Sequence, residues 1–198
     1  MSNKKKFVII LCSLIFISLV IMYYTNNLEW IDNFFYKHII SFKSDTTTSF
    51  FIYLTVLGGA GITVLLINFN LLINKKKGLY FILNIGIVMA LNFILKLIFM
   101  RQRPTVEHLV LENWYSFPSG HSMNSVALYG LLIYYMYHSK RNKALRVIGT
   151  ILSILVIILV PISRVYLGVH FFSDILAGAC ISTIWLMFYT EYLKRKGI

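Results

Sequence analysis

The chain has 198 residues, 58% of them hydrophobic and only 13% charged, where a soluble domain averages about 25% charged. That excludes an ordinary soluble globular domain and points to a single integral membrane domain over residues 1–198. Nineteen basic against seven acidic residues give a net charge of +12. In a soluble protein this excess would suggest nucleic acid as partner; here most basic residues fall in short loops between apolar runs, so no nucleic-acid partner is expected.

Lys4, Lys5 and Lys6 precede an apolar run from Phe7 to Met22. Tyr23-Tyr24-Thr25-Asn26-Asn27 offers no small-residue cleavage site, so the run is read as an uncleaved first membrane helix. Asn26 to Ser49 follows. Its Leu28–Lys37 stretch mixes aromatic and charged residues, which fits either a helix in the headgroup layer or a re-entry loop with aromatic anchors. Thr46-Thr47-Thr48 is a plausible cap region for the next helix.

Six apolar segments are expected as helices: Phe7–Tyr24, Phe50–Ile73, Leu79–Met100, Ser122–Tyr137, Val147–Ile162 and Phe171–Tyr192. The first three have the length needed to span a bilayer, and the fourth and fifth are slightly short. If the six alternate, the groups Lys4–Lys6, Lys75–Lys77, Lys140/Arg141/Lys143/Arg146 and Lys194–Lys196 all lie on one side, thirteen of the nineteen basic residues. The positive-inside rule then puts both termini in the cytoplasm. Cys12 and Cys180 both sit in apolar runs without metal-site spacing and are read as free thiols.

Three short strings fall at the opposite, extracytoplasmic ends of these helices. The first is Lys96 with Arg103-Pro104. On a helix these two cations would share a side about 10 Å apart along the axis, but Pro104 disfavours helical geometry at Arg103, so the helix is expected to end near there. The second is Pro118-Ser119-Gly120-His121. Its glycine permits close backbone approach to a ligand, the helix N-terminus favours anions, Ser119 adds a hydroxyl, and His121 can protonate a leaving oxygen. The third is Ser163-Arg164, then His170 and Asp174. Arg164 supplies a planar fork suited to phosphate. His170 and Asp174 are four apart, a spacing that makes neighbours on a helix face, and a carboxylate on one ring nitrogen makes the other a better nucleophile.

Ionisable residues are costly inside a membrane and are therefore functional candidates. Three cations beside two histidines suit phosphoryl transfer: cations hold the phosphate oxygens, one histidine attacks phosphorus and the other protonates the departing oxygen. The His170–Asp174 pairing favours His170 as the attacker. Glu107 and Glu112, between the first two strings, are candidates for tuning substrate choice, and Trp114 and Tyr115 for lining the headgroup entrance.

The pattern Lys-x6-Arg-Pro, Pro-Ser-Gly-His, Ser-Arg-x5-His-x3-Asp from Lys96 to Asp174 resembles, without departure, the signature of the type 2 phosphatidic acid phosphatase family. That family is the membrane branch of a superfamily that includes bacterial acid phosphatases and vanadium haloperoxidases. The resemblance implies an all-α, six-helix transmembrane bundle around a haloperoxidase-like catalytic core. It implies a phosphatase with His170 as nucleophile forming a phosphohistidine, Asp174 orienting it, and His121 as general acid. Lys96, Arg103, Ser119, Gly120 and Arg164 would hold phosphate, with no metal or other cofactor expected. The expected substrate is a lipid phosphate at the outer face of a bacterial plasma membrane. Undecaprenyl diphosphate is placed first, phosphatidylglycerophosphate or phosphatidic acid second, and a non-catalytic anionic-lipid binder or transporter is the alternative class.

Overall fold

A computed structural model describes residues 1–139 and 142–198; Lys140 and Arg141, part of the third basic group, lie outside the described residues. The described chain forms eight α-helices: α1 (Asn3–Tyr24), α2 (Glu29–Ile40), α3 (Asp45–Thr55), α4 (Ala60–Ile73), α5 (Lys75–Phe99), α6 (Gly120–Tyr137), α7 (Lys143–Tyr166) and α8 (Phe172–Arg195). The six expected apolar segments correspond to α1, the α3–α4 pair, α5, α6, α7 and α8. By length and composition α1, α5, α7 and α8 can each cross a membrane, and the α3–α4 pair makes a fifth such segment.

The second segment differs from the expected single helix. It is bent by 45° where the 3-10 turn Val56–Gly58 separates α3 from α4. The cause is a close approach: a Cβ on Gly58 would stand 2.4 Å from Val160 Cγ1 and 2.9 Å from Ser125 Oγ, so only glycine lets the chain come this near α6 and α7. A break in a helix at membrane depth frees carbonyl groups that need donors. Polar side chains of α6 supply them. Tyr129 donates to the Leu57 carbonyl at 2.9 Å, and Asn124 donates to the Gly58 carbonyl at 2.9 Å and to Thr63 Oγ1 at 2.7 Å.

Within residues 26–49, the stretch Glu29–Ile40 is helical, as α2. α2 turns Trp30 and Phe34 outward and buries Asp32. The cap of α3 is Ser44, which exchanges hydrogen bonds with Thr47.

α6 is the shortest of the long helices and lies at the centre, against α5, α7 and α8. Met123, Ala127, Leu128 and Leu131 are fully buried there and pack with Phe81, Val88 and Leu193. A second cluster, Leu19, Phe99, Phe117 and Ala177, seats α1 on the bundle. Cys12 on α1 and Cys180 on α8 are free thiols.

Helix direction sorts the charges. Lys75–Lys77 open α5, Lys143 and Arg146 open α7, and Lys194 and Arg195 close α8. The N-terminus joins that end, because the Met1 amino group and Lys5 both pair with Glu191. Lys96 at the end of α5, His121 at the start of α6, Arg164 at the end of α7 and Asp174 at the start of α8 all fall at the other end.

Candidate active site

Four helix ends and two loops build the site. α5 ends earlier than Pro104 alone predicts: Met100 takes a left-handed conformation, φ 46°, and closes the helix after Phe99. Arg103 is therefore not on the helix of Lys96 but on the loop that follows. From there its Nε donates to the Trp114 carbonyl at 2.6 Å and Nη1 to the Val169 carbonyl at 2.6 Å. Lys96, still on α5 and buried, donates from Nζ to the Tyr115 carbonyl and lies 5.7 Å from the centre of the Trp114 ring.

His170 and Asp174 also meet differently from the helical expectation. α8 begins at Phe172, so His170 precedes it. The turn after α7 is set by Gly168 at φ +76°, where a Cβ would strike the Glu107 carbonyl at 2.3 Å. Asp174 sits in the first turn of α8, where a carboxylate complements the helix dipole. Its Oδ2 accepts from the Phe171 backbone N–H at 2.9 Å and faces His170 Nδ1 at 3.2 Å. The same carboxylate thus caps the helix and orients the imidazole. That contact fixes which ring nitrogen is free: with Nδ1–H directed at the carboxylate, Nε2 carries the available lone pair.

His170 is 3% exposed. Burial, with Arg103 and Arg164 adding to it and Asp174 opposing it, holds the imidazole pKa down at about 4. The ring is therefore neutral across the physiological range.

Arg164, 2% exposed, donates from Nη1 to Thr55 Oγ1 at 2.8 Å, and the bend between α3 and α4 is what brings Thr55 there. Its Nη2 pairs with Glu112 Oε1, while Glu112 Oε2 lies 3.2 Å from Arg103 Nη2. One carboxylate therefore bridges two guanidinium groups, in the geometry that two oxygens of a phosphate would adopt. Arg164 Nε is buried without a hydrogen-bond partner among the described residues, a donor left for a further oxygen.

Ser119 caps α6: its Oγ accepts from the Ser122 N–H at 3.4 Å, and its own N–H bonds the Asp174 carbonyl at 3.0 Å. This ties the start of α6 to the start of α8 and sets His121 beside the third string, while the open side of Gly120 faces Asn92. Asn92 steadies the approach by donating to the Pro118 carbonyl at 3.0 Å. His121 lies within electrostatic reach of Arg164, His170, Arg103 and Lys96. Its ring has no hydrogen-bond partner among the described residues, which leaves its nitrogens open to a ligand.

All eight residues expected from the three strings thus lie at one end of the bundle. Ser119 is fully buried and already engaged as a cap; its hydroxyl accepts there and keeps its own hydrogen to donate.

Two cavities reach this cluster. One, about 460 Å³, runs between α4, α5 and α6, with Val64, Met89, Phe93, Trp114 and His121 in its lining. The other, about 450 Å³, lies between α2 and the Arg101–Val106 loop and reaches His170, with Asp32, Asn33 and Arg103 in its lining.

Sequence reasoning missed Arg101 and Asp32. Arg101 Nη1 bonds Asp174 Oδ1 at 2.6 Å, and its Nη2 bonds Asp32 Oδ2 at 2.7 Å. The available signals were a second arginine two residues before Arg103 and a carboxylate within an aromatic segment.

A sequence profile described as the PAP2 superfamily matches residues 77–198. Phosphatidylglycerophosphatase B of Bacillus subtilis (strain 168) is 37% identical over 126 residues, which cover 60% of this chain and 60% of that protein. Lipid phosphate phosphatase delta of Arabidopsis thaliana is 35% identical over 74 residues, 36% of this chain and 18% of that protein. The match therefore spans less than two thirds of either curated relative. Among solved structures, a transmembrane PAP2-type phosphatidylglycerolphosphate phosphatase from Bacillus subtilis superposes with a TM-score of 0.83 at 29% identity, over 95% of this chain and 96% of that one. Aquifex aeolicus LpxE superposes with a TM-score of 0.65 at 26% identity, over 79% of this chain and 93% of that one.

Proposed function

Because the chain belongs to the PAP2 superfamily, we propose that it is a multi-pass membrane lipid phosphatase that works through a phosphohistidine. The observation that carries this reading is the His170–Asp174 couple, set with His121 in a cup of Lys96, Arg103 and Arg164. A protein that only bound or carried anionic lipid would have no use for an oriented, neutral imidazole.

The geometry supports the following steps. The phosphate displaces the Glu112 carboxylate from Arg103 and Arg164, and Lys96 and the N–H groups at the start of α6 take the remaining oxygens. His170 Nε2 attacks phosphorus while the bond to the leaving oxygen breaks. The bound phosphate anion favours a protonated His121, against the burial and cations that otherwise keep its ring neutral, and His121 gives the leaving oxygen that proton. Asp174 stabilises the positive charge that develops on the His170 ring. Water then attacks the phosphohistidine, passing a proton to His121, and the P–N bond breaks to release phosphate and neutral His170.

The lipid-bearing leaving group lies on the His121 side. The apolar groove between α4, α5 and α6 is lined in part by His121, which supports a substrate whose chain lies in the membrane. The names of the B. subtilis relatives favour phosphatidylglycerophosphate as the first substrate to test. Undecaprenyl diphosphate, expected first from the outward-facing site alone, is the second reading, because its terminal phosphoryl group would also leave a lipid chain on the His121 side. The basic ends of the helices, opposite the site, support cytoplasmic termini and an extracytoplasmic site in a bacterial plasma membrane.

The test is phosphate release by purified protein from phosphatidylglycerophosphate, undecaprenyl diphosphate, phosphatidic acid and a soluble ester. Release from at least one lipid, lost in His170→Ala, is the expected result. Binding of all four without release would assign a non-catalytic anionic-lipid binder instead.

A further inference from the structure

We propose that Asp32, on α2, is a positioning residue for the reaction: through Arg101 and Ser173 it sets the carboxylate that orients the nucleophile. The inference rests on the phosphatase reading for its chemistry and on observed contacts for its geometry.

Asp32 is a charged side chain 3% exposed on a helix whose Trp30 and Phe34 are more than half exposed. Every contact of its carboxylate leads toward Asp174. Oδ1 accepts from the Ser173 N–H at 2.8 Å. Oδ2 accepts from Ser173 Oγ at 2.9 Å and from Arg101 Nη2 at 2.7 Å. Arg101 completes the chain with Nη1, which donates to Ser173 Oγ at 2.7 Å and to Asp174 Oδ1 at 2.6 Å. Its guanidinium lies 3.9 Å from the centre of the Phe171 ring and 5.9 Å from that of Tyr23, so aromatic faces fix its plane.

A buried ion pair of this kind is a poor source of stability, because desolvation offsets most of the attraction. Positional control is a better account of it. Asp174 has no exposure and accepts on both oxygens: Oδ1 from Arg101, Oδ2 from Phe171 and toward His170. Arg101 divides its charge between two carboxylates. Asp32 therefore weakens the hold of Arg101 on Asp174, and leaves Asp174 a stronger acceptor for the His170 Nδ1–H.

The other charged or titratable groups around His170 are Lys96 from α5, Arg103 and Glu112 from the loop, His121 from α6 and Arg164 from α7. None of these touches Asp32, so a change at Asp32 reaches His170 through Arg101, Ser173 and Asp174.

Opposite signs are the diagnostic. In Asp32→Asn, Arg101 turns wholly to Asp174 and the His170 imidazolium loses support. In Arg101→Met, Asp174 loses its competing cation and the imidazolium gains support. Two measurements test this in the full chain: steady-state kinetics across pH on the lipid the wild type hydrolyses, and ring NMR titration of His170, assigned by its loss in His170→Gln. For Asp32→Asn, kcat is expected to fall about 10²-fold with KM nearly unchanged, and the His170 titration to move down by about half a unit to one unit. For Arg101→Met the titration moves up. Glu29→Gln, an exposed carboxylate on the same helix, leaves both unchanged. A His170 titration unmoved in both variants, or moved the same way, would overturn the inference even in an active enzyme. Opposite shifts in a wild type that hydrolyses none of the esters would uphold the positioning contact and overturn the phosphatase reading.

Discussion

Arg103 Nη1 lies 3.4 Å from His170 Nε2, the ring nitrogen turned away from Asp174. The separation is too long for a strong hydrogen bond, and Arg103 spends its other donors on the Trp114 and Val169 carbonyls and on Glu112. A phosphate oxygen drawn to Arg103 would therefore arrive beside the lone pair of the proposed nucleophile, so that in this reading binding and alignment are one event.

The two histidines should respond differently to leaving-group chemistry. His170→Gln is expected to lower turnover by about 10⁴-fold or more for every ester, since it removes the proposed nucleophile. His121→Gln should cost about 10²–10⁴-fold on a lipid alkyl phosphate, and far less on an activated aryl phosphate, whose leaving oxygen needs no proton. Comparison of single-turnover rates on the two esters checks this; equal losses in His121→Gln would remove it as the acid.

The pH dependence has a definite sign. His170 has its pKa lowered from 6.5 to about 4, chiefly by burial. Between those values the unfolded chain holds more protons on this residue than the fold does, so its contribution to stability is full above about 6.5 and is lost as pH falls toward about 4. Thermal unfolding in detergent should therefore show a lower midpoint at pH 4.5 than at pH 7, with a smaller drop in His170→Asn. The acid limb of kcat/KM assigned to His170 should lie near pH 4; a limb near 6.5 that vanishes with His170 would contradict the buried, neutral ring.

Glu112 holds the two guanidinium groups that a phosphate would need. Its removal relieves a competition. Glu112→Gln is expected to tighten inhibition by orthovanadate or inorganic phosphate about tenfold, the equivalent of about 1.4 kcal/mol. Weaker inhibition in this variant would mean that the carboxylate orders the arginines rather than competing with the anion.

The groove at His121 predicts a split by chain length. Val64→Trp fills a wall of the apolar cavity and touches none of the eight residues of the cup. KM for a long-chain lipid phosphate should rise about tenfold, as expected for lost apolar contact, while kcat/KM for a soluble ester stays unchanged. Equal effects on both would place the chain elsewhere.

How much of this was legible beforehand depends on range. Apolar run lengths and the grouping of lysines determined the helical segments and the opposition of basic ends to reactive ends, because hydropathy and charge act over short stretches of chain. The spacing of Lys96, Arg103, Ser119, Gly120, His121, Arg164, His170 and Asp174 marked the candidate site residues. Only the tertiary structure decided how they meet. Met100 ends α5 early and turns Arg103 back onto Val169. Gly58 bends the α3–α4 segment and brings Thr55 to Arg164. Glu112 closes on two arginines, and Arg101 joins Asp174 to Asp32, 142 positions earlier in the chain. These contacts join residues far apart in sequence, and their energies come from burial and charge pairing that exist only after the helices pack, so no local pattern encodes them.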